Sequence, residues 1–129
     1  MSATENLRAE IAQRIAALIA DSGMSWTEAR ARAREEFGGC RGLPAGVLPS
    51  GSEIETAVRA HYALFAPEEH ARVLRRKREL ALNVLSLFEG FEASLTGAVL
   101  NGAAGVDSPV CLQVFTEIGR KALAFSRGI

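Results

Sequence analysis

The stretch Gly97-Ala98-Val99-Leu100-Asn101-Gly102-Ala103-Ala104-Gly105-Val106-Asp107-Ser108-Pro109-Val110-Cys111-Leu112 decides how the chain is read. Its glycines admit left-handed backbone and leave N–H groups open to close neighbours, so it reads as a turn. On either side the apolar period falls from the helical 3.6 to something nearer two, which is the spacing of strands. Glu92 to Gly97 is therefore predicted as one short strand and Val110 to Phe115 as a second. Glu117 to Ser126 is predicted as a closing helix with Ile118, Ala122 and Phe125 inward and Gly128 placed to end it.

Upstream of Gly90 the pattern is helical. Ser2 and Glu5 have capping-box spacing, so a first helix runs to about Ser22, with Gly23 beyond its end and Leu7, Ile11, Ile15, Leu18 and Ile19 along one face. A second helix follows Ser25, with Glu28 three residues on, Ala29, Ala33 and Phe37 inward, and Gly38 and Gly39 stopping it. Pro44 and Pro49 lack backbone N–H groups, so the chain from there to Gly51 is a loop. A third helix starts near Ser50 or Ser52, with Ile54, Val58, Tyr62 and Phe65 on one face. Pro67 suits the first turn of a fourth, where Glu68 and Glu69 meet the positive helix end. Val73, Leu80, Val84, Leu87 and Phe91 recur at helical spacing, so this helix is predicted to reach Glu89, to stop at Gly90 and to be the longest.

The chain has 129 residues, 48% hydrophobic and 23% charged, which is globular composition and room for one core. One domain is expected over 1–129, helical through 90 and strand-turn-strand-helix from 91. Fifteen basic and fifteen acidic side chains give a net charge of zero, which argues against a global field recruiting nucleic acid or a membrane. Twelve of each sign lie in residues 1–89 and three of each in 90–129, so the last third is core-like. The uncharged stretch Ala93 to Val106 is too short for a bilayer, and the N-terminus lacks a basic segment followed by an apolar run. A cytoplasmic protein is expected. Cys40 and Cys111 form no CxxC pair and read as free thiols.

The glycine-rich stretch resembles the signature of the nucleotidyltransferase superfold, the minimal type related to polymerase beta. In that family a Gly-Ser pair is followed at fixed distances by Gly, Ala, Ser and an Asp-x-Asp strand. Gly97, Gly102, Ala104, Ser108, Val110 and Leu112 fall on matching positions. The resemblance implies a vestigial nucleotide-binding turn carried by Gly97, Ala98, Gly102 and Ser108. The chemistry is missing from it: Ala98 stands at the phosphate-binding serine, Pro109 at the first metal-binding aspartate and Cys111 at the second. Proline has no side-chain oxygen, and a thiol is a soft ligand ill matched to magnesium. Leu48-Pro49-Ser50, Glu53-Ile54-Glu55 and Leu64-Phe65, together with the long helix, are similar to a group of small bacterial proteins with a helical N-terminal part before a degenerate core of this type. That group sometimes carries the name UDP-N-acetylmuramate-alanine ligase. The chain does not support the name, because it lacks a GxxxxGK[ST] loop and is far too short for a three-domain ligase.

Arg72, Arg75, Arg76, Lys77 and Arg78 form the densest basic run. Arg72, Arg75, Arg76 and Lys77 would cover one helix side away from Leu80 and Val84, as a phosphate or partner surface or as a solvated face paired with Glu68, Glu69 and Glu79. No aromatic residues interleave, which argues against single-stranded nucleic acid. His61 and His70 lack the i, i+4 spacing that presents two imidazoles to one metal. Ser108 either contacts phosphate or organises its turn by a local backbone bond. Trp26 and Phe37 are either an exposed anchor or packing against the first helix.

The expectation is an α+β protein: four N-terminal helices packed on a two-stranded sheet with a C-terminal helix, resembling a truncated nucleotidyltransferase core. The function expected first is non-catalytic binding of a protein partner, of a second copy or of a nucleotide, with no cofactor. An alternative is a nucleotidyl or phosphoryl transferase using Mg and ATP, with Asp107 and Glu117 or a dimer supplying carboxylates. A third is a structural subunit whose open edge strand completes another sheet.

Overall fold

Serine hydroxyls open three of the helices. Ser2, Ser25 and Ser50 hold extended backbone and accept hydrogen bonds from the N–H groups of Glu5, Glu28 and Glu53 at 3.1, 3.2 and 3.2 Å. Each such cap satisfies an orphan donor and contributes about 1 kcal/mol. At Ser2 and Ser50 the glutamate reaches back to the serine N–H and completes a capping box. The helices are α1 (Ala3–Ser22), α2 (Trp26–Gly38) and α3 (Gly51–Phe65). Gly23, at φ 67°, closes α1 in the left-handed conformation that glycine adopts without a Cβ penalty.

In this computed structural model, residues 2–105 and 107–125 are described. The chain divides into two compact units, Met1–Ala66 and Pro67–Ile129. In the first, α1 packs on α2 and on α3. Its buried apolar residues are Ile11, Ala12, Ile15, Ala16, Leu18 and Ile19 of α1, Ala29 and Ala33 of α2, Val47 of the connecting loop, and Ile54 and Val58 of α3. Leu7 is half-buried, and burial of the apolar face predicted for α3 stops short of its end: Tyr62 is half-buried and Phe65 exposed. The Phe65 ring lies against His61, centroids 4.6 Å apart, as i, i+4 neighbours do on a helix.

The second unit contains α4 (Pro67–Ser86), β1 (Glu92–Thr96), a short α5 (Gly97–Asn101), β2 (Val110–Thr116) and β3 (Gly119–Phe125). Helix α4 ends three residues before the expected Glu89, so at 20 residues it equals α1 rather than exceeding it. The cause is local: Leu87 and Phe88 bond back three residues, to Val84 and Leu85, and the Ser86 hydroxyl donates to the Asn83 carbonyl. Leu87 and Phe91, which continue the helical spacing of the apolar row in the sequence, are exposed.

The fold class is α+β as expected, with two corrections. The sheet has three antiparallel strands in the order β1-β2-β3, not two. Residues 119–125, predicted as helix, form β3; Ser126 and Gly128 lie outside the described residues. A two-residue turn, Glu117-Ile118, brings Gly119 opposite Thr116, and the pairing continues to Phe125 opposite Val110. Gly119 takes φ 125° there, which a side chain would resist. A helix would have left that edge of β2 without a ladder; the third strand supplies it. Only α4 belongs to the unit that contains the sheet.

Val110, Leu112 and Val114 alternate along β2 and are buried. Val110 and Leu112 meet Ala81 of α4, Val99 of α5 and Ala104 in one cluster, with Leu74, Leu80, Val84, Leu85, Leu95, Ala98 and Phe125 packed around it.

Candidate functional site

The antiparallel pairing of β1 with β2 sets Leu95 opposite Leu112 and Thr96 opposite Cys111. Immediately after Thr96 the backbone swings into α5 through Gly97 at φ 77°. A Cβ there would stand 3.6 Å from Cys111 Cβ and 3.8 Å from its Sγ, which is ordinary contact. The position therefore demands glycine for its backbone angle, not for space. Ala98 packs against the apolar cluster, where a hydroxyl would have to find a partner. Gly102, at φ 88°, ends α5, its N–H donating to the Ala98 carbonyl at 3.0 Å. Asn101 Oδ1 accepts from the Ala103 N–H at 3.1 Å. Ser108 closes the next turn on both sides: its N–H donates to the Gly105 carbonyl at 3.2 Å and its Oγ accepts from the Gly105 N–H at 2.9 Å. The hydroxyl thus organises the turn, the second of the two roles expected for it.

Three basic side chains of α4 hold the carbonyls of this turn. His70 Nε2 lies 2.9 Å from the Ala104 oxygen, so that nitrogen carries the proton. Lys77 Nζ donates to the Ser108 carbonyl. Arg78 donates from Nε to Val99 and from Nη2 to Leu100, both at 3.0 Å, placing a cation on the last carbonyls of α5. Lys77, expected beside Arg72, Arg75 and Arg76 on an exposed side, as a phosphate or partner surface or as a solvated face, is instead fully buried. It lies three residues after Leu74 and four before Ala81, so helical geometry puts it on the face that packs on the cluster. Burial holds the Lys77 ammonium below its usual pKa, against an opposing pull from the Asp107 carboxylate. Burial also lowers the His70 imidazole, helped by the Arg78 charge and opposed by the bond to Ala104.

Arg72, Arg75 and Arg76 are exposed and, at i, i+3 and i+4, share one side of α4. Asp107 and Pro109 are exposed; Cys111 is a half-buried free thiol. Asp107 and Glu117 flank opposite ends of the seven-residue β2, roughly 20 Å of strand apart, so within one chain they do not converge. Among the described residues no three His, Cys, Asp or Glu side chains come together as metal ligands.

In the first unit His61 Nε2 lies 3.0 Å from Asp21 Oδ1, tying α3 to the last turn of α1. Trp26 and Phe37 are half-buried, and Cys40 is an exposed free thiol. Among the described residues no helix is long and apolar enough to cross a membrane. The contributions of His70 and Arg78 were missed in the sequence, although both fall on the face of α4 that carries Leu74 and Ala81. No family model matches the chain, and comparison with curated proteins and with solved structures returns no match.

Proposed function

We propose that the chain is a non-catalytic, nucleotidyltransferase-like protein that acts by binding a partner or a nucleotide, with Arg72, Arg75 and Arg76 as the surface that meets it. The observation that carries this reading is the strand-turn-strand unit itself: Gly97 bends against Cys111, and Pro109 and Cys111 occupy the positions where the resembled family has carboxylates. Neither side chain is a ligand for a hard divalent cation. The turn's polar groups are also committed internally, with four carbonyls held by His70, Lys77 and Arg78 and the Ser108 hydroxyl bonded to Gly105. Three exposed guanidinium groups on one helix side form a local cationic row on a chain of zero net charge. An acidic protein surface or a nucleotide tail fits such a row by bidentate hydrogen bonding.

Incubation of the purified protein with labelled ATP and magnesium tests the reading, with self-transfer and transfer to an added protein both scored. No label is expected on any protein, and saturable transfer would refute the non-catalytic assignment. Binding of nucleotide or partner is expected to weaken about tenfold when Arg72 and Arg76 are both replaced by alanine, the scale of losing a charge-assisted contact.

A further inference from the structure

We infer that β3 is a self-pairing edge, and that two copies of the chain join antiparallel through it into one continuous six-stranded sheet. The inference stands on the geometry of β3 alone and does not depend on the proposed binding function. Among the described residues, β3 is an outer strand of its sheet, and six of its seven residues are exposed. An exposed strand of that length presents a row of unpaired backbone groups. The turn closes on Thr116 opposite Gly119, and in an antiparallel ladder only alternate residues bond to the same neighbour. Gly119, Lys121, Leu123 and Phe125 therefore bond inward to β2, while Arg120, Ala122 and Ala124 direct N–H and C=O outward.

Charge then selects the register. Both cations of β3 lie in its first half, at Arg120 and Lys121, and Ala122 to Phe125 carry none. Pairing about a two-fold axis through Ala122 overlaps all seven residues. It sets Arg120 against Ala124 of the second copy and Lys121 against Leu123 of the second copy. Sliding toward the start of the strand puts Lys121 against Lys121, then Arg120 against Arg120, which repels. Sliding the other way shortens the overlap. Of the registers that oppose no like charges, the full-length one has the longest overlap, and it satisfies the outward groups of both copies. Leu123, 37% exposed, would gain the Lys121 stem of the second copy as cover. The two-fold axis makes the contact isologous, so assembly closes at the dimer instead of growing into a filament.

Sedimentation equilibrium of the full chain over a concentration series tests this. Wild type is expected to show a reversible monomer–dimer equilibrium with no larger species. Ala122→Pro removes an outward N–H and should raise the dimer dissociation constant at least about tenfold while the circular dichroism stays that of wild type. Ala122→Lys, which sets two like charges face to face at the axis, should do the same. Ala124→Glu, opposite Arg120 of the second copy at two symmetric places, should tighten the dimer roughly fivefold, an effect that salt removes. A strict monomer, open-ended polymers, or Ala122→Lys dimers as stable as wild type would overturn the inference. So would loss of the sheet in Ala122→Pro, because the Ala122 N–H would then point to β2.

Discussion

Replacing Lys77 by alanine and, separately, by methionine divides what this buried side chain contributes. The side chain is fully buried on the face of α4 that carries Leu74 and Ala81, and its ammonium donates to the Ser108 carbonyl. Alanine removes three methylenes beyond Cβ, worth about 0.8 kcal/mol each when buried, and leaves a cavity, so a loss of about 3 kcal/mol is expected. Methionine keeps most of the stem volume. It forfeits the bond to Ser108, a loss of about 1.5 kcal/mol, but it also removes an ammonium whose depressed pKa shows that burial already opposes its charge. These two effects nearly offset, and Lys77→Met should stay within about 1 kcal/mol of wild type. Urea titrations followed by far-ultraviolet circular dichroism give both numbers at constant slope. Equal losses in the two variants would refute the packing argument and assign the stabilisation to the ammonium. A negligible loss in Lys77→Ala would mean that the side chain is not enclosed at all.

Gly97→Ala should cost about 1–2 kcal/mol in the same titration, because φ 77° strains an L-residue although the added methyl has room beside Cys111. Arg78→Ala should cost about 1–2 kcal/mol and speed amide exchange through 97–103, since the Val99 and Leu100 carbonyls lose their donors, whereas exposed Arg75→Ala should stay within about 0.5 kcal/mol. The His70 pKa lies below its usual 6.5, so on acidification the unfolded chain takes up that proton first. The stability His70 contributes is therefore present above about pH 6.5 and is lost as pH falls through the folded value; wild type should weaken more than His70→Gln between about pH 7 and pH 5, and parallel curves would count against it.

Helix starts were legible because a cap is a local device. Ser2, Ser25 and Ser50 each place a hydroxyl three residues before the N–H it accepts from, and nothing distant can change that spacing. The strands flanking the turn were legible for a similar reason, since the alternation of Val110, Leu112 and Val114 needs only one buried face. The segment after Thr116 was not. Ile118, Ala122 and Phe125 fit a helical period, while Lys121, Leu123 and Phe125 fit a strand period equally well. Pairing with β2 decides between them, and that is a contact the local pattern does not contain.

Within the candidate site, Lys77 was misread because a run of four arginines and one lysine looks solvated throughout. The spacing from Leu74 to Ala81 held the contrary signal: a lysine in that row must either bury its stem and find an acceptor or break the face. The same row explains why the run splits by function. Arg72, Arg75 and Arg76 remain exposed, while Lys77 and Arg78 are spent on the backbone of the turn.

Manganese binding, followed by the loss of its free-ion resonance signal, is the most direct measurement, made on wild type and on the double variant Pro109→Asp/Cys111→Asp. Two carboxylates two residues apart on extended backbone share a face and suit a hard cation. Wild type is expected to show no saturable binding, and the double variant to gain it. Saturable binding by wild type, or none by a folded double variant, would contradict the claim that this turn keeps a metal-site scaffold without its ligands.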